Sequence, residues 1–153
     1  MAIRKDIYIA IKGFLKTIEK LELIDLQKGQ FEGKIPDVFG NLYTACLIEI
    51  GTIDWETMTN QNQEGKATIS VYLYVKDGYA HQHEGTTDRN DGFSEIELID
   101  TVVETLHGKQ GQCFKALLLT KEQAIDNPSN GIMAYQLDFE TWCYNSLPKK
   151  YVY

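Results

Sequence analysis

Residues Ala67-Thr68-Ile69-Ser70-Val71-Tyr72-Leu73-Tyr74-Val75-Lys76 alternate apolar and polar without a break. Successive side chains of a strand face opposite sides. Ala67, Ile69, Val71, Leu73 and Val75 therefore share one face, and Thr68, Ser70, Tyr72, Tyr74 and Lys76 share the other. A half-buried strand of this kind excludes an all-parallel sheet covered on both faces, whose strands read as continuous apolar runs. It also puts two tyrosines on a face that the core does not obviously require.

Toward the N-terminus, Ile3, Ile7, Ile11, Phe14, Leu15, Ile18 and Leu21 recur at steps of three and four. This spacing predicts an amphipathic helix over residues 3–22, with Lys5, Lys12, Lys16, Glu19 and Lys20 on its wet face. A short extended piece, Leu23 to Leu26, follows. Residues 28–40 read as a glycine-bearing loop, because the Ile35-Pro36 step pushes residue 35 toward extended geometry. Residues 42–50 read as a strand with Cys46, Ile48 and Ile50 on one face, and Gly51 predicts a bend or bulge. Residues 57–66, with the polar run Asn60-Gln61-Asn62-Gln63-Glu64-Gly65, read as the hairpin tip leading into the opening strand.

Toward the C-terminus, residues 76–92 are polar and long for a structureless loop, a length that marks functional or mobile segments. Ser94 and Glu97 have capping-box spacing. Ile96, Ile99, Val102, Val103 and Leu106 then predict a helix over residues 95–107, closed by Gly108 as a left-handed cap. Residues 113–119 read as a short, well-buried strand, and residues 120–131, which include Asp126-Asn127-Pro128-Ser129-Asn130-Gly131, as a turn. Met133, Tyr135, Leu137, Phe139 and Thr141 alternate with Ala134, Gln136, Asp138, Glu140 and Trp142, a second half-buried strand. Residues 145–153 are expected to form a flexible tail.

These patterns add up to a single α+β domain spanning residues 1–153. Its sheet is expected to be antiparallel or mixed, with about four to five strands, and two helices pack on one face in the order α-β-β-α-β-β. A chain of 153 residues buries enough surface to fold without disulfides or metal. The formal charge of −7 argues against a nucleic-acid-binding surface, which needs clustered cations. Cys46, Cys113 and Cys143 are odd in number and widely spaced, which argues against a disulfide framework or zinc site and for a reducing compartment. Charged residues interrupt the N-terminal apolar stretch, so no secretory signal is read there, and no apolar run is long enough to span a membrane.

Few residues suggest chemistry. His81 and His83 would share a strand face, and Glu84, Asp88 or Asp91 could complete a metal site. A polar loop tip does not pre-organise ligands, so the expectation is no metal and no cofactor. His107 falls in the last helical turn, where a cation suits the dipole. Carboxylates are plentiful (Glu49, Asp54, Glu56, Glu95, Glu97, Asp100, Asp138 and Glu140), but no pair stands out for acid–base work. Phosphate-binding, nucleophile-elbow and metalloprotease motifs are absent from the sequence. The chain reads as a non-enzyme, with no catalytic residues. Tyr72, Tyr74, Trp55, Trp142 and Tyr144 are the candidates for contact between subunits, because aromatic residues off the core are favoured interface anchors.

The order of elements resembles the tail terminator, or tail-completion, proteins of long-tailed bacteriophages and prophages. The resemblance is carried by the leading amphipathic helix, the Ile35-Pro36 loop and the strand ending Leu47-Ile48-Glu49-Ile50-Gly51. The alternating strand from Ile69 to Val75, the helix with Ile96, Ile99-Asp100, Val103 and Leu106, and the last strand ending Leu137-Asp138-Phe139-Glu140-Thr141 complete it. It covers nearly the whole chain and rests on pattern rather than on a diagnostic motif. It implies a structural virion subunit, assembled in the host cytoplasm and located in the virion tail. Such a subunit closes into a homo-oligomeric ring, typically a hexamer, which caps the tail tube and meets the head connector. DNA would be only passing cargo, and an acidic lumen would let it slide. The alternatives are another head–tail connector subunit, or a small ligand- or metal-binding domain using the His81/His83 loop.

Overall fold

The computed structural model describes residues 3–30, 44–59, 61–76, 91–125 and 132–146, with residues 91 and 92 described by backbone alone. In chain order the elements are α1 (Ile3–Leu15), β1 (Leu23–Leu26), β2 (Thr44–Thr57), β3 (Asn62–Lys76), α2 (Asp91–Leu106), β4 (Leu118–Ala124) and β5 (Ile132–Ser146). The strands form one mixed five-stranded sheet in the order β1-β2-β3-β5-β4. Only β1 on β2 is parallel. The architecture is α+β, but its order is α-β-β-β-α-β-β, one strand more than expected. The extra strand is Leu23–Leu26, whose four residues are too few to display a period of two.

The alternating segment behaves as its pattern dictates. Ala67, Ile69, Val71, Leu73 and Val75 are buried in one cluster with Cys46, Ile48, Leu137 and Phe139, together with residues of both helices. The helices are not two equal covers. α1 lies close to β1, β2 and α2. α2 reaches the common core through Leu98, Val102 and Leu106.

The helix ends depart from expectation in three places. α1 stops at Leu15, because the Thr17 hydroxyl and amide both donate to the Phe14 carbonyl and tighten the chain into a turn. Ile18 and Leu21 remain buried although they have left the helix. α2 begins at Asp91, which puts Ser94 inside the helix rather than at its cap. Ile96 is solvent-facing, and Leu98 takes its place in the core. Gly108 does adopt the expected left-handed conformation (φ 85°). Its N–H donates to the Leu117 carbonyl, which leads the chain away from the helix.

Two strand expectations also change. Residues 113–119 make only a bridge, between Phe114 and Cys143, before β4 begins at Leu118. β4 is a mostly exposed edge rather than a buried strand. Its register shifts between Leu119 and Lys121, which hides its alternation. The β2–β3 hairpin is longer than expected, because its ladder runs out to Thr57 and Gln63. Asn62, Gln63 and Glu64 are thus strand residues that lie beyond the core rather than loop residues. The expected irregularity at Gly51 is present, as a register shift between Ile50 and Ile53.

β2, β3 and β5 contain 14, 15 and 15 residues, or roughly 50 Å of extended chain each. α1 has 13 residues, about 20 Å of helix. The central ribbon therefore outreaches the helical layer, and the burial of β2 fades from complete at Thr44 to slight at Thr57. In the overhang, Trp55 lies opposite Gly65 across the hairpin. A Cβ on Gly65 would come within 2.7 Å of Trp55 Cε3 and 2.8 Å of Ile53 Cγ2, so the indole and Ile53 pack directly over bare backbone.

Candidate assembly surface

The face of the sheet away from the helices is built by register. Glu49 pairs with Ser70 and Ser70 with Asp138, so the three share a row across β2, β3 and β5. Leu47, Tyr72 and Gln136 form the next row, and Ala45, Tyr74 and Ala134 the one beyond. Tyr72 Oη donates to Glu49 Oε1 at 3.0 Å. Ser70 Oγ donates to Asp138 Oδ1 at 2.6 Å, and Gln136 Nε2 donates to the same oxygen at 2.9 Å. Gln123 Nε2 extends the chain to Gln136 Oε1 at 3.1 Å. Burial first, then the Glu49 carboxylate and the charge of Asp138, push the Tyr72 phenol up to about 12. The outcome is a hydrogen-bonded band across the sheet that fixes side chains in place.

The five aromatic candidates do not form one surface. Tyr74 is only 4% exposed and sits in a small second cluster with Ala45, Leu47 and Ala134. Tyr72 is half-buried beside that cluster. Trp55 points to the helix side, over Gly65. Trp142 and Tyr144 lie two residues apart on the outer face of β5 and are 41% and 38% exposed. Charge surrounds them: Lys66 Nζ pairs with Glu140 Oε2 at 3.1 Å, and Lys115 Nζ stands 5.6 Å from the Tyr144 ring centroid. Tyrosine and tryptophan framed by long cations make an amphipathic patch of the kind that protein interfaces favour.

His81, His83, Glu84 and Asp88 lie outside the described residues. Among the described residues no group of three metal-ligating side chains converges. His107 follows the last residue of α2, and its Nδ1 accepts the Leu119 N–H at 3.1 Å, which ties the helix end to the start of β4. Burial raises the Cys46 thiol to about 12, the opposite of what a nucleophile requires. Burial and Asp6, whose Oδ2 is 3.7 Å from Sγ, also raise Cys113. No described helix is long and apolar enough to cross a membrane.

Sequence reasoning missed two surface features. The first is a cleft of about 410 Å³ beside the start of α1, lined by Arg4, Lys5, Tyr8, Asp25, Leu26, Lys28 and Ile50. The second is the exposure of Phe93 and Ile96 on α2, at 65% and 56%. The available signal was that Leu98, Val102 and Leu106 form their own series of four-residue steps. A helix offering two apolar series buries only one of them fully.

No protein-family model matches the chain, and no curated protein matches it. Among solved structures the chain is similar to one from the virion of a native gene transfer agent particle, with 10% identity and a TM-score of 0.57. The match covers 94% of this chain and 98% of the other. At that identity the likeness is one of fold, shared end to end.

Proposed function

We propose that the chain is a structural, non-catalytic subunit of a phage-like virion, of the tail-terminator type, which closes with copies of itself into a ring at the end of the tail tube. The observation that carries this reading is the fold shared along nearly the full length of both chains with a gene transfer agent virion component. The surface supports it physically. A closed ring needs heterologous contacts, in which one patch of a subunit meets a different patch of the next. More than one patch is available: the sheet ends in an overhang with exposed Trp142 and Tyr144, and α2 exposes Phe93 and Ile96 on the helix side.

Light scattering and negative-stain microscopy of the purified protein test the reading. The expected result is a ring of several subunits, six in the tail-terminator type, and tails of uncontrolled length when the gene is deleted from a particle-producing strain. A chain that stays monomeric at high concentration counts against it. Particles with normal tails but no heads attached would instead mark a head–tail connector. Tight metal binding that His83→Ala abolishes would favour the ligand-binding alternative.

A further inference from the structure

We infer that the cleft beside α1 receives the exposed face of α2 from a second copy of the chain. This inference rests on the ring reading and names the contact that would close it. On an α-helix, positions at i, i+3, i+4, i+7 and i+11 fall on one face. Phe93, Ile96, Glu97, Asp100 and Glu104 stand at that spacing on α2, and all five are exposed. The stripe is opposite Leu98, Val102 and Leu106, which fill the core. Two large apolar side chains thus begin a stripe that ends in three carboxylates. Glu97, Asp100 and Glu104 take part in neither the Lys28–Asp25 nor the Lys66–Glu140 ion pair.

The cleft has the complementary composition. Tyr8, Leu26 and Ile50 supply an apolar floor, and Leu26 is 39% exposed. Arg4, Lys5 and Lys28 supply cations, and Asp25, 3.9 Å from Lys28, offsets one of them, which leaves the lining with a net positive charge. Lys12, one helical turn beyond Tyr8 and with its ammonium 5.7 Å from that ring, continues the basic side of α1. In a chain of net charge −7, cations gathered on one helix and carboxylates on the next make two faces of opposite sign. An amphipathic helix laid in such a groove would insert Phe93 and Ile96 into the floor and set its carboxylates against these cations. The two faces are different patches of one subunit, so the contact is head-to-tail.

The test is a charge-reversal exchange on the full chain, read by analytical ultracentrifugation at several salt concentrations. One variant carries Arg4→Glu and Lys5→Glu, and the other carries Glu97→Lys and Asp100→Lys. All four positions are exposed, so circular dichroism and thermal unfolding of each variant should match the parent. Each variant alone should self-associate at least about tenfold more weakly, because like charges then face one another. Mixing the two should restore assembly, since every cleft again meets an α2 face of opposite sign. Association of the parent should also weaken as salt rises. If the parent assembles and neither reversal changes it, the cleft–helix contact is wrong and the ring reading stands. If the parent forms only a closed dimer that either reversal disrupts, the contact stands and the ring falls. A parent that is monomeric at millimolar concentration overturns both.

Discussion

The two ends of the β2–β3–β5 ribbon share strands and hydrogen-bond ladders but have different environments. At the covered end, Ile48, Val71, Leu73 and Leu137 are fully buried beneath the helices, and the polar face is tied down by the band through Glu49, Tyr72 and Asp138. At the overhanging end, Asp54, Glu56 and Asn62 are exposed, and cohesion comes from Trp55 packed over Gly65 and from the bridge between Phe114 and Cys143 of β5. The contrast teaches that one ribbon can bury both of its faces at one end and hold exposed side chains on a few contacts at the other, so the same substitution costs more at the covered end.

The sharpest way to break the comparison is at the covered end. Phe139→Ala removes one of the largest fully buried side chains and should cost about 3–5 kcal/mol in urea denaturation. Tyr74→Ala should cost about 3 kcal/mol, because Tyr74 is buried in the second cluster rather than waiting on a partner. That value separates it from Trp142, although both were candidates for contact between subunits. In the overhang, Gly65→Ala forces the Trp55 ring aside and should cost about 1–3 kcal/mol, with a change in tryptophan fluorescence. Trp142→Ala combined with Tyr144→Ala should leave stability within about 0.5 kcal/mol while weakening assembly in light scattering. A large loss of stability in that double variant would erase the distinction between the two ends.

The smallest effect is a titration. The Tyr72 phenol is raised to about 12 in the folded protein, against about 10 for an unfolded chain. The folded state thus holds this proton more tightly. The associated stability is fully present below pH 10 and is lost as pH climbs from about 10 to about 12. Ultraviolet titration should show a phenolate appearing near pH 12 that Tyr72→Phe removes, while Tyr135, also raised by burial and by Glu122, still ionises late. If every tyrosine ionises together near 10, the band across the sheet is looser than the distances imply.

What the sequence made legible follows from where one periodicity was decisive. β3 and β5 bury one face over most of their length, so their alternation reads directly, and the Gly108 cap and the irregularity at Gly51 follow from backbone chemistry. β1 and β4 were misread because a four-residue strand and a strand with shifted register carry too little pattern. α2 was misread at Ile96 because the helix offers two apolar series, and only packing against α1 decides between them. The aromatic candidates scattered for a similar reason. Strand parity separates Trp55 from Trp142, but burial separates Tyr74 from Tyr144, and burial depends on neighbours distant in sequence. His81 and His83 lie outside the described residues.

The central position of β3 has a consequence for folding. Its pairing with β2 closes across a short tip, whereas its pairing with β5 closes a far longer stretch of chain that carries α2 and β4. Loop closure makes the second step the slower one. Until it happens, the segment from Ala67 to Val75 presents a bare edge of β-branched and aromatic residues, the composition that templates misassembly. Lys66 and Lys76 stand at either end of that segment. Charges flanking an unavoidable apolar strand act as gatekeepers against chain-to-chain pairing. In a protein proposed to assemble only through chosen faces, they keep its most adhesive stretch for β5.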